Sequence, residues 1–152
     1  MSAVDSIFLQ VTENPEQVAD WLSGLLGLEV VGSDAESVRL RGRGATFDGW
    51  LGYVVQPNGY ADLDPEPDEI QAMDPYGIEF QIRVRDEDIL HREARLAFDR
   101  IVEARPDVPT QLVENLAFLV AAHLPGTGTH LFEPGTTPDA EDQDTWRPWV
   151  TS

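Results

Sequence analysis

The sequence predicts an α+β fold: one domain, mainly antiparallel sheet, with two main helices packed on one face. Three observations predict it. Apolar residues alternate with period two in several short segments, while two longer segments carry apolar stripes at helical spacing. Those segments run in the order strand, helix, strands, helix, strand, which suits an antiparallel sheet with helices on one side better than a regularly alternating parallel one. The chain has 152 residues, enough for one sizeable core, and no repeat or linker divides residues 1–152.

Ser6 to Thr12 reads as a strand with Ile7, Leu9 and Val11 on one face. Asn14-Pro15 then opens a helix, because Asn14 can accept from the free amides of the first turn and Pro15 lacks only an N–H that would go unused. Val18, Trp21, Leu22, Leu25 and Leu26 form its apolar stripe, and Gly27 stops it. Leu28 to Gly32 and Ser37 to Arg43 read as strands around a Ser-Asp-Ala-Glu turn. Ala45 to Val55 reads as a further strand, with Phe47, Leu51, Tyr53 and Val55 in phase and a bulge or close approach at Gly49 and Gly52. Residues 56–76 hold Pro57, Pro65, Pro67 and Pro75 and read as an extended loop. Gly77 to Arg85 alternates Ile78, Phe80, Ile82 and Val84 with Glu79, Gln81, Arg83 and Arg85, a strand. Asp86 to Arg105 is a helix with Leu90, Ala94, Ala97, Phe98 and Ile101 on one face, acids at its start, arginines toward its end and Pro106 beyond it. Leu112 to Leu124 fits either a helix or, with Gly126, Gly128 and the segment 130–132, a hairpin. The segment 133–152 is an acidic, Pro-containing tail whose Trp146 and Trp149 are expected to fold back onto the sheet.

Charge excludes several function classes. The 28 acids and 10 bases give a net charge of −18, which disfavours direct binding to nucleic acid or to anionic membranes. No cysteine is present, so disulfides, thiol nucleophiles and Cys-ligated metals are excluded. All ten bases are arginines, which removes Schiff-base chemistry and the phosphate-loop lysine. No apolar stretch approaches the roughly 20 residues of a membrane span. Ile7 to Val11 is too short for a signal-peptide core, and the expected compartment is the cytoplasm.

The densest local feature is Asp62, Asp64, Glu66, Asp68, Glu69 and Asp74, six acids with no base among them. A calcium loop of the EF-hand type fails, since Pro67 and Met73 stand where Gly and Glu are required. Two readings remain: a solvated loop that keeps the chain soluble, or a proline-stiffened docking surface for a basic partner. Glu133, Asp139, Glu141, Asp142 and Asp144, followed by Trp146-Arg147-Pro148-Trp149, extend the same choice to the tail. Arg39, Arg41, Arg43, Arg83 and Arg85 fall on the polar faces of two strands, as partners for nearby acids such as Glu79 or as an anion-binding stripe. His91, His123 and His130 have no metal-motif spacing. His123 and His130 could oppose one another across a hairpin, and no metal or cofactor is expected. No nucleophile elbow or dinucleotide fingerprint is present, so no catalytic residue is assigned.

The second half has a recognisable order. Gly-Ile-Glu-Phe-Gln-Ile-Arg-Val (77–84) leads to a helix ending Phe98-Asp99-Arg100-Ile101-Val102. Arg105-Pro106-Asp107-Val108, an apolar run to Leu124, a glycine turn and Trp146-Arg147-Pro148-Trp149 follow. Over residues 77–149 this resembles the small single-domain immunity proteins of bacterial contact-dependent or polymorphic toxin systems, in particular the immunity partners of outer-membrane-exchanged toxins. The resemblance places apolar strands at 112–124, and a helix there would weaken it. It implies a cytoplasmic inhibitor that binds a cognate, basic toxin domain, covers its active or substrate-binding surface and performs no reaction. The partner-binding residues expected on that reading are Asp62, Asp64, Glu66, Asp68, Glu69, Asp74, Glu141, Asp142 and Asp144. The alternatives are an acidic nucleic-acid mimic that blocks a DNA- or RNA-binding protein, and a small enzyme with a carboxylate pair.

Overall fold

A computed structural model describes residues 3–151. Eight strands form one antiparallel sheet: β1 (Ala3–Leu9), β2 (Glu29–Ser33), β3 (Val38–Arg43), β4 (Trp50–Pro57), β5 (Ile78–Val84), β6 (Thr110–Glu114), β7 (Phe118–Leu124) and β8 (Gly128–Leu131). Their order across the sheet is β2-β3-β4-β5-β1-β6-β7-β8, so the first strand lies near the centre. Helix α1 (Pro15–Leu26) joins β1 to β2, and α2 (Glu87–Ala104) joins β5 to β6. Both pack on the same face, α1 over β3 and β4, α2 over β5, β1 and β6. The expected α+β architecture is the observed one.

Local sequence explains each helix. Asn14 accepts from the Gln17 amide while the Gln17 side chain accepts from the Asn14 amide, a reciprocal cap that satisfies two free donors. Gly27 ends α1 at φ +69, a left-handed position that a side chain would strain. Asp86 caps α2 through the Ile89 amide. Arg100 donates to the Leu25 carbonyl at 2.6 Å and so ties α2 to the last turn of α1. Between helices and sheet lies the main core, including Ile7, Leu9, Leu22, Leu40, Val55, Phe80, Leu90, Phe98 and Ile101.

The far face of the sheet departs from expectation. It carries a second core of Phe8, Ala72, Met73, Tyr76, Val113, Leu119, Ala122, Phe132 and Trp146, so its covered strands are buried on both sides. The cover comes from the segment between β4 and β5 and from the tail. That segment is therefore not an extended loop throughout: residues 59–69 turn at the surface, and Ala72, Met73 and Tyr76 then fold inward. Asn58 Nδ2 donates to the Met73 and Tyr76 carbonyls, Gln111 Nε2 to the Ala72 carbonyl, and the Ala72 amide to the Pro138 carbonyl. The tail runs through a 3-10 turn (Ala140–Asp142), α3 (Gln143–Trp146) and a second turn (Arg147–Trp149). Trp146 is buried as expected, with its indole N–H on the Asp139 carbonyl.

Three further expectations are corrected, and the open choice at 112–124 is resolved. The strand expected from Ala45 starts at Trp50, because the Glu93 carboxylate on α2 takes the amides of Ala45 and Thr46 and the Thr46 hydroxyl, holding 44–49 as a loop. The region 112–124 is β6 and β7, joined by a turn in which Asn115 and Leu116 are both left-handed, at φ +53 and +58. His123 and His130 do not oppose each other. Their partners in register are Thr129 and Ala122, and His123 bonds the Pro106 carbonyl and Thr129 while His130 stacks on Trp149. Glu79 and Gln81 on β5 are buried rather than solvated.

Candidate functional site

The two acidic stretches, distant in sequence, meet in space. Asp62, Asp68 and Glu69 from the segment before β5 and Asp139 and Glu141 from the tail line one cleft of about 640 Å³, floored by Tyr60, Ile70 and Gln71. The Ala72–Pro138 hydrogen bond of 2.8 Å clamps the two stretches side by side. Asp62 Oδ1 accepts from the Asp64 amide, the Glu69 amide donates to the Glu66 carbonyl, and Pro65 and Pro67 fix the backbone between. Among the described residues none of these carboxylates forms an ion pair with an arginine or histidine. The cleft is thus a region of negative potential with no internal counter-charge.

A second cleft of about 630 Å³ adjoins it and shares Asp62, Ile70 and Gln71. Its other walls include Leu63, Trp146 and Val150, with Arg147 as its one base. Leu63 is 97% exposed between Asp62 and Asp64, an apolar side chain held out into solvent.

Of the nine partner-binding residues expected, four, Asp62, Asp68, Glu69 and Glu141, line the acidic cleft. Asp64, Glu66 and Asp144 are exposed nearby in sequence but outside it. Two turn inward onto neighbouring backbone. Asp74 is buried and accepts from the Gln71 amide, and burial, opposed by that hydrogen bond, raises its pKa above the ordinary value of 3.8. Asp142 turns inward onto the amide and hydroxyl of Thr137. Asp139 was not among the nine, and only the tail's fold brings it to the cleft.

The arginines do not form a stripe on adjacent strands, because β4 lies between β3 and β5, and three of them are answered within the molecule. Arg41 and Arg83 flank Gly52 in register across β4. Arg41 pairs with Glu29, Arg43 with Asp48, and both lie over the Trp50 ring. Arg83 donates to Gln81 Oε1, and Gln81 Nε2 in turn donates to the buried Glu79.

Sequence reasoning missed one cluster altogether. Asp5 on β1 and Glu114 on β6 are directly opposite in register, and His91 of α2 lies over them. His91 Nδ1 is 2.7 Å from Asp5 Oδ2 and 3.7 Å from Glu114 Oε1. Asp5 is fully buried and also accepts from the Asn115 amide at 3.2 Å. Burial raises the Asp5 pKa and Glu114 adds to the rise, while the His91 hydrogen bond and charge and the Asn115 amide oppose it. Burial alone would lower the His91 pKa. The Asp5 hydrogen bond and the charges of Asp5, Glu114 and Glu87 outweigh it, and the imidazole stands above its usual 6.5. The one signal in the sequence was an acid amid the strand Ala3–Leu9, where a polar pair interrupts the apolar residues.

No family model, no curated protein and no solved structure matches this chain. Its fold class is that of an α+β protein with one antiparallel sheet, and among the described residues no helix is long and apolar enough to cross a membrane.

Proposed function

We propose that this protein is a cytoplasmic immunity protein, which binds a basic bacterial toxin domain through the acidic cleft and its rim and covers the toxin's active or substrate-binding surface. The observation that carries the reading is the convergence of Asp62, Asp68, Glu69, Asp139 and Glu141 on one cleft without an internal base. Unpaired carboxylates attract a cationic surface at long range and raise the rate of encounter more than the final affinity. Affinity needs a desolvated apolar contact as well, and Leu63, with the adjoining cleft of Ile70, Trp146 and Val150, offers one. Prolines and the clamp to the tail hold the face before binding, so little order is lost on association. A nucleic-acid mimic is less well supported, since the acids gather around a concavity from two stretches of chain instead of standing in regular rows.

Co-expression with a candidate toxin, the variable C-terminal domain of a large secreted protein sought in the adjacent upstream gene, tests the proposal. Wild type is expected to restore growth. A variant carrying Asp62→Lys, Asp68→Lys, Glu69→Lys and Glu141→Lys is expected to associate with that domain about tenfold or more slowly at low salt, with a shallower salt dependence. An unchanged association rate at low salt rejects the acidic face as the docking surface. Lack of any protection by wild type rejects immunity itself.

A further inference from the structure

We propose that Asp5, His91 and Glu114 form a binding site for one divalent transition-metal ion of the zinc class. Asp5 Oδ2, His91 Nδ1 and Glu114 Oε1 come from β1, α2 and β6, and these atoms lie within 4.8 Å of one another. Ligand atoms about 2.0–2.2 Å from a shared ion stand roughly 3.0–3.5 Å apart in tetrahedral or octahedral geometry. The His91 distances of 2.7 Å to Asp5 and 3.7 Å to Glu114 bracket that range, and with all three atoms within 4.8 Å of one another side-chain adjustment alone can bring them around one ion.

The surroundings are those of a supported ligand set. The second Asp5 oxygen accepts from the Asn115 amide, which it shares with the Val4 carbonyl. The far nitrogen of His91 faces Glu87 Oε1 at 4.0 Å, and Glu87 is itself held by Asn115 Nδ2 at 2.8 Å. A metal-bound imidazole characteristically turns its other nitrogen to a carboxylate, and such a carboxylate is characteristically anchored in turn. Charge points the same way. Three carboxylates surround one imidazole, no arginine among the described residues pairs with any of them, and Asp5 is wholly out of water. A buried carboxylate needs a strong counter-charge, and a dication supplies more than a protonated imidazole.

The donor set selects the ion. One nitrogen and two carboxylates are too few and too mixed for calcium, which takes six to eight oxygens, and contain no sulfur for copper(I). Zinc accepts both imidazole nitrogen and carboxylate oxygen, and a site with three protein ligands leaves a fourth position for water. His91 and Glu114 keep about a quarter of their side chains exposed, so that position opens to solvent.

The test is calorimetric titration of chelator-treated full-length protein with Zn²⁺, and with Co²⁺ for its visible absorption. His91→Ala and Glu114→Gln are run in parallel, because both side chains reach the surface while Asp5→Asn would disturb the core. Circular dichroism establishes that the variants are folded, and a misfolded one is replaced by His91→Gln or Glu114→Ala. Wild type is expected to bind one ion and to gain thermal stability with it, and each folded variant to lose tenfold or more in affinity. Absence of a one-to-one isotherm with either ion, or a smaller loss in either variant, overturns the site. Ions gathered by the acidic cleft would ignore both substitutions, so this outcome is independent of the immunity reading.

Discussion

Single side chains decide several features here through where their carboxylates end up. Glu93 closes the loop 44–49, Asp142 closes the tail's first turn, and Asp74 sits under the acidic segment. Asp74 is the costly one. Its Oδ2 meets the Gln71 amide, but its Oδ1 is buried with no close hydrogen-bond partner among the described residues. Because burial raises its pKa above 3.8 in the fold, the folded chain holds that proton more tightly than the unfolded chain does. Its contribution is therefore fully favourable below the unfolded value and declines as pH rises through the folded one. Asp74→Asn is expected to be more stable than wild type at pH 7 and to lose that advantage below about pH 4. Urea unfolding of both proteins across that range checks it; a difference independent of pH would reject the account.

At the scale of elements, the turn between β6 and β7 is the point of strain. Asn115 tolerates a left-handed backbone, but Leu116 does so at a cost of about 1–2 kcal/mol. Leu116 is partly exposed and contributes to neither core. Leu116→Gly is expected to stabilise the protein by roughly 0.5–1 kcal/mol, since relief of strain exceeds the added freedom of the unfolded chain. Thermal or denaturant unfolding measures it, and a loss of stability would mean the side chain has a packing role. Elements were legible in the sequence where one local rule governed them. The cap at Asn14, the stop at Gly27 and the alternation of 78–84 each depend on residues a few positions apart. Long-range partners were not legible. Residues 45–49 have a strand's pattern and are held as a loop by Glu93, and Phe8 and Glu79 look solvent-facing only while the tail's position is unknown. The candidate site divides the same way: the acids could be counted, but their convergence depends on a hydrogen bond from Ala72 to Pro138. Asp5, His91 and Glu114 follow no spacing rule because three separate elements supply them.

For the whole molecule, three layers follow from the charge and apolar pattern together: helices, sheet, and a partial cover of loop and tail. Five acids without an ion-pair partner among the described residues stand on the cover, so that face carries the potential that a partner would meet. The position of β1 has a consequence in time. Ile7 lies between Phe80 on one side and Leu112 on the other. The centre of the sheet therefore waits, during synthesis, for residues made much later, and the first half of the chain has no complete sheet to join. Such distant closures make the search long. Refolding from denaturant, followed by stopped-flow fluorescence of the four tryptophans, is expected in milliseconds to seconds rather than microseconds. A nascent chain released before β6 emerges would leave β1 with one flank unpaired, an adhesive edge that a chaperone or a neighbouring ribosome's product would find first.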